Sequence, residues 1–190
     1  MLLSLMILLF SKITPTYDKR RLQGERFQKF VRDVVFKSLG ITIEYYKTQN
    51  EQINIGESKQ GIEVKYDRLT NKTGNLYIEF EERRYSNTPF VPSGILRTDN
   101  TYIYLVGDRK KIHLFLKEEL KRLYEFNCRT NTYDIVDGKD DCGNVTSHGM
   151  LINAETDGFL FAKIIICVDN NNLIFERGDL EQLRLLIPEN

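Results

Sequence analysis

The sequence predicts an α/β protein built on one mixed β-sheet with helices on its flanks. Three observations predict it. Apolar residues recur at helical spacing through residues 21–39, two charged segments that follow alternate with period two, and a further strand, strand and helix come next. At 190 residues the chain can bury a sizeable core as one domain, or one domain with a small appendage. No internal repeat is visible. Formal net charge is zero, so no overall basic field marks a general nucleic-acid binder. Basic clusters at Lys19-Arg20-Arg21 and Arg109-Lys110-Lys111 carry little weight, because charge runs are ordinarily solvated.

The elements follow in order. Phe27, Phe30, Val31, Val34 and Val35 form the inner stripe of the first helix, and Gly40 ends it. Residues 41–46 read as a short strand and 47–54 as a polar loop. Gly61-Ile-Glu-Val-Lys-Tyr-Asp67 and Asn75-Leu-Tyr-Ile-Glu-Phe-Glu-Glu82 then read as a hairpin joined by a turn over 68–74. Pro89, Pro92 and Ser93-Gly94 break the chain. Strands are predicted over 101–106 and 112–116, and a helix over 117–126. Residues 127–156 are rich in Asp, Asn and Gly and read as irregular. A strand over 159–168, a turn at 169–172, a second strand over 173–176 and a closing helix over 179–186 complete the chain.

The apolar run over residues 1–10 is too short to span a bilayer as a helix and lacks the basic flank of a signal peptide. It reads first as a buried or mis-assigned N-terminal extension, then as a secretion signal, and last as a membrane anchor. Three scattered cysteines make no disulfide framework and suggest a reducing, cytoplasmic compartment. Cys128, Cys142 and His148 lack the spacing of a zinc site and read as loop residues. His113 reads as a structural residue of an apolar strand.

Chemistry concentrates on the hairpin. Alternate side chains of a strand share a face, so Glu63, Lys65 and Asp67 fall together, as do Tyr77, Glu79 and Glu81. If the strands pair, these carboxylates and the lysine lie on one surface, and like charges so placed repel unless a cation neutralises them. A hard divalent cation takes one or two carboxylates, with water and substrate phosphate completing its shell. Asp67 and Glu79 are the candidate metal ligands, and Lys65 is the candidate for stabilising charge at phosphorus. An ordinary solvated sheet face would also carry Glu, Lys and Arg.

The run Glu63-Val-Lys-Tyr-Asp67, followed after an eleven-residue gap by Glu79-Phe-Glu81, resembles the two-part motif of the PD-(D/E)xK nuclease superfamily. That motif places an Asp on one strand, then Asp or Glu, any residue and Lys on the next. Thr73-Gly-Asn75, Ile78-Glu79 and Pro92-Ser-Gly-Ile95 are similar to small phage-type members. The resemblance covers roughly residues 21–125. It implies a restriction-endonuclease-like core over 21–126, after an N-terminal apolar extension over 1–20 and before a loop-rich C-terminal extension over 127–190 that carries a β-hairpin and packs on the core. It further implies hydrolysis of DNA phosphodiesters with Mg²⁺ or Mn²⁺, with no small-molecule cofactor and no membrane. Asp67 and Glu79 would bind metal, and Phe80 would offer only its carbonyl. Glu81 would stand in the general-base or lysine position, where Lys is usual, and activity would then depend on Lys65, use a second metal, or be weak. Glu25 is the candidate for the acidic residue that many members carry on the first helix. The alternative is a non-catalytic module on the same fold that binds nucleic acid or protein. A third reading is a structural domain that dimerises through the strand over 159–168.

Overall fold

The stripe of Phe27, Val31 and Val35 becomes the buried side of a long helix in the computed structural model, which describes residues 15–170 and 172–187. Helix α1 (Pro15–Phe30) runs directly into a π-helical turn over Val31–Phe36. The wider winding lets Val31, Val35 and Phe36 all face inward. After it come α2 (Gln49–Asn54), β1 (Ile62–Tyr66), α3 (Thr70–Thr73), β2 (Asn75–Glu82), β3 (Val91–Pro92), β4 (Ile103–Gly107) and β5 (Lys111–Leu116). The rest comprises α4 (Lys117–Thr130), β6 (Ile135–Lys139), β7 (Val145–Asn153), α5 (Asp157–Phe161), β8 (Ile164–Asp169), β9 (Asn172–Arg177) and α6 (Leu180–Leu186). The apolar run over residues 1–10 lies outside the described residues. Among those described, no helix is long and apolar enough to cross a membrane.

The protein is an α/β protein with a mixed central sheet and flanking helices. Five strands form that sheet in the order β1-β4-β5-β8-β9, with β1 parallel to β4 and every other pair antiparallel. A second sheet runs β3-β2-β7-β6, antiparallel throughout. Ile62, Val64, Ile103, Leu105, Ile112 and Leu114 point to one side of the central sheet, where α1, the π-helical turn and α6 cover them with Phe27, Val31, Val35 and Leu183. Tyr104, Val106, Phe115 and Ile165 point to the other side, against Leu76, Ile78, Phe80, Met150 and Ile152 of the second sheet and Leu120 of α4. The layers are therefore helix, sheet, sheet.

This corrects the expected hairpin. β1 and β2 do form, but no backbone ladder joins them, and they belong to different sheets. Each apolar face finds a different core, so a shared hairpin face could bury only one of them. Other boundaries move as well. Residues 41–46 make only a single bridge, between Tyr45 and Ser58. The polar loop holds α2, which starts at a capping box formed by Thr48 and Glu51. The irregular stretch contains β6 and the nine-residue β7. The strand expected over 159–168 opens as α5, and its remainder, β8, lies inside the central sheet between β5 and β9. The C-terminal third is thus no appendage, because β7 completes the second sheet and β8 the first.

Candidate functional site

Because Ile62 and Val64 turn toward α1, Glu63 and Lys65 turn inward, toward the second sheet. Lys65 Nζ lies 2.9 Å from Glu63 Oε1 and 3.2 Å from Glu79 Oε1. The Glu63 contact is an ion pair without hydrogen-bond geometry. Although the residue is 0% exposed, neither Glu63 oxygen accepts a hydrogen bond. Burial alone would pull the Lys65 ammonium down, but Glu79 and Glu63 hold it well above the ordinary lysine value. Lys65 is a charged cation at the centre of this group.

A third carboxylate joins from the loop before β1. Glu57 Oε2 accepts from the Val64 backbone N–H at 2.9 Å and from Gln28 Nε2, on α1, at 3.1 Å. Burial, and then the neighbouring Glu63, push the Glu57 carboxyl up to about 7, against the pull of Lys65. From the other side, Ser93 Oγ donates to Glu79 Oε1 at 2.7 Å. Arg97 Nη2 donates to Ser93 Oγ at 3.1 Å and to Glu82 Oε1 at 2.8 Å. The segment carrying Arg97 is held by buried Lys117, which donates to the Arg97 carbonyl and to Asp99 Oδ1, each at 2.7 Å. Tyr104, the neighbour of Glu63 in the parallel register, is 0% exposed, and its hydroxyl lies against the Glu79 backbone without a hydrogen bond of good geometry. Burial, with Glu63 and Glu79 nearby, holds that phenol well above its ordinary value, so it is a donor.

Of the expected site residues, Lys65 and Glu79 meet here. Asp67 does not join them. Its Oδ1 accepts from Leu69 N–H and its Oδ2 from Tyr77 N–H, both at 2.9 Å, so it ties the end of β1 to the start of β2. Glu81 is carried away by a bulge between Glu79 and Glu81 and binds His148 Nδ1 at 2.6 Å on the second sheet. Glu25 sits on the exposed side of α1, 3.5 Å from Arg21. Gln28 is the α1 side chain that reaches the site. Sequence reasoning placed Glu63 on the charged face, Ser93 in a turn and Tyr104 in a half-buried strand, and assigned no catalytic or metal-binding role to these or to Glu57, Gln28 and Arg97. The spacing Glu63-Val64-Lys65 was a usable signal for one of them.

Two cations, Lys65 and Arg97, share these surroundings with Glu63, Glu79 and the raised Glu57 carboxyl. Among the described residues no three His, Cys, Asp or Glu side chains form a ready metal cage. Two carboxylates are nevertheless enough for Mg²⁺ when water and phosphate complete its shell. Glu63, whose oxygens accept no hydrogen bond and whose ion pair here is with Lys65, and the neighbouring Glu57 are the carboxylates that would hold such an ion. Elsewhere, Cys128 and Cys142 are exposed free thiols, and His148 lies between Glu81 and Asp137. Burial, then Lys111, lowers the buried His113 imidazole to about 4, as befits a neutral core residue. No protein-family model, curated protein or solved structure matches the chain. Fold and site together define an α/β protein with a buried carboxylate–lysine centre.

Proposed function

We propose that the protein is a metal-dependent deoxyribonuclease of the PD-(D/E)xK type with a restriction-endonuclease-like core. The motif is read one strand earlier than expected, with Glu57 in the first acidic position and Glu63-Val64-Lys65 as acid, spacer and lysine. One observation carries this reading: a fully buried Glu63 carboxylate that accepts no hydrogen bond, ion-paired with Lys65 at 2.9 Å, with the raised Glu57 carboxyl nearby. Glu57 and Glu63 would hold Mg²⁺ or Mn²⁺. When bound, such an ion polarises a phosphodiester and lowers the pKa of water. Lys65 supplies positive charge for the oxygens at phosphorus. Glu79, braced by Ser93, fixes where that charge sits. In the reaction a water oxygen bonds to phosphorus, the bond to the leaving oxygen breaks, and that oxygen departs protonated.

The test is cleavage of plasmid and single-stranded DNA by purified protein, with Mg²⁺ or with EDTA. We expect EDTA-sensitive cleavage by the wild type, at least a hundredfold loss in Lys65→Met and Glu63→Gln, and retained cleavage in Asp67→Ala. The last variant loses charged hydrogen bonds worth about 1–3 kcal/mol each and melts lower. Cleavage by Glu63→Gln at the wild-type rate would overturn the assignment. DNA binding without cleavage would mark a binding module instead.

A further inference from the structure

The protein carries no net charge, yet residues 83–98 hold three arginines and neither Asp nor Glu. This stretch is the arm between β2 and β3 with the turn that follows, and the two strands close its base by pairing Glu82 with Val91 and Glu81 with Pro92. One end of it builds the carboxylate–lysine centre, where Ser93 meets Glu79 and Arg97 meets Ser93. Arg83 is committed to the fold: its Nε donates to the Val145 carbonyl at 2.7 Å, and its guanidinium lies 4.5 Å over the Phe90 ring. Phe90 in turn stacks on His148 with ring centroids 4.1 Å apart, and a turn from Tyr85 to Thr88 holds the tip. Arg84 and Tyr85 are left exposed on this pinned arm. The Arg84 guanidinium lies 5.4 Å over the Tyr85 ring, and 57% of Tyr85 stays exposed with it there.

We propose that this arm is a docking surface for single-stranded DNA, with a base stacking on Tyr85 and a phosphate on Arg84. The inference rests on the nuclease reading given above and adds which form of DNA reaches the centre. An exposed cation attracts phosphate without telling strands apart. An exposed aromatic ring does tell them apart, because internal bases of a duplex are already stacked on one another, whereas a single strand offers the faces of its bases. Positive charge confined to one arm of a neutral protein draws the strand to that arm, and the same stretch of chain ends at the centre.

Fluorescence anisotropy in EDTA measures binding of the full chain to an oligothymidylate and to a duplex of equal length, without cleavage. Wild type, Tyr85→Ala, Tyr85→Phe, Arg84→Gln and Arg122→Gln are compared, the last removing an exposed arginine of α4 outside the arm. We expect wild type to prefer the single strand, Tyr85→Ala to bind it about tenfold more weakly, and Tyr85→Phe to bind as wild type does. Arg84→Gln should flatten the dependence of log affinity on log salt by about 0.7, the share of one phosphate. Arg122→Gln should change neither. A duplex bound as tightly as the single strand, or normal binding by Tyr85→Ala, would overturn the proposal. So would Tyr85→Phe weakened as far as Tyr85→Ala, an unchanged salt slope in Arg84→Gln, equal weakening by Arg122→Gln, or a wild type that binds neither DNA. If wild type cleaves DNA with Mg²⁺ while Tyr85→Ala binds normally, the docking surface falls and the nuclease reading stands. If the strand is bound through Tyr85 and Mg²⁺ brings no cleavage, the docking surface stands and the nuclease reading falls.

Discussion

Glu57 carries the sharpest consequence at the scale of single residues. Its carboxyl has an ordinary value of 4.5 and rises to about 7 in the fold, through burial and then Glu63. Between those values the folded chain holds a proton that the unfolded chain has released. Stability from this group is therefore fully present below its unfolded value and is lost as pH rises through the folded one. We expect the melting temperature to fall from about pH 5 to about pH 8 more steeply in wild type than in Glu57→Gln. Adding Mg²⁺ should recover the difference near pH 8 and not near pH 5, because the cation takes the place of the proton. Parallel pH profiles for the two proteins would rule this out. Lys65 and Glu79 were legible in the sequence because period-two alternation set their faces. Glu57 was not, since it sits on a loop whose path depends on the Ser58 bridge to Tyr45 and on contact with Gln28.

At the scale of elements, the turn after β3 positions the site. Gly94 has φ +46°, and a Cβ there would lie 2.2 Å from the Glu79 carbonyl oxygen. That close approach seats Ser93 on the Glu79 side chain. Gly94→Ala should destabilise the protein by about 2 kcal/mol or more in chemical denaturation, combining left-handed strain with the clash. It should also impair cleavage. Wild-type stability in this variant would show that the turn is not held as described. β7 escaped the sequence reading for a related reason. Its run Val145-Thr-Ser-His-Gly-Met-Leu-Ile-Asn153 contains polar residues and Gly149, which break the alternation. Gly149 is there because the Tyr77 ring of β2 lies over it, 2.3 Å from where a Cβ would stand. A glycine chosen for its neighbour across the sheet looks, in one dimension, like a loop residue.

At the scale of the whole molecule, the chain is interleaved. β8 pairs with β5, β7 pairs with β2, and α6 supplies Leu183 to the core beneath α1. Removing residues 127–190 would strip β2 of its long partner and leave the apolar face of β5 with an open edge. We expect residues 1–126 alone to show no cooperative thermal transition and to aggregate. A cooperative melt of that fragment would mean that the first two thirds fold alone. The strand proposed for dimerisation is unavailable, since β8 is hydrogen-bonded on both sides.

Periodicity, a property of the chain itself, determined most of the strands and helices, the α/β class, and the common face of Glu63 and Lys65. Which way that face turned was a tertiary decision. The same alternation serves an exposed hairpin or an inward charged face. Only the placement of β1 beside β4, with α1 over Ile62 and Val64, sent Glu63 and Lys65 inside. Spatial convergence of Glu57, Glu63, Lys65, Glu79 and Tyr104 joins residues from a loop and three strands of two sheets. No spacing along the sequence encodes it, because it arises where the sheets meet and burial makes every unpaired charge count.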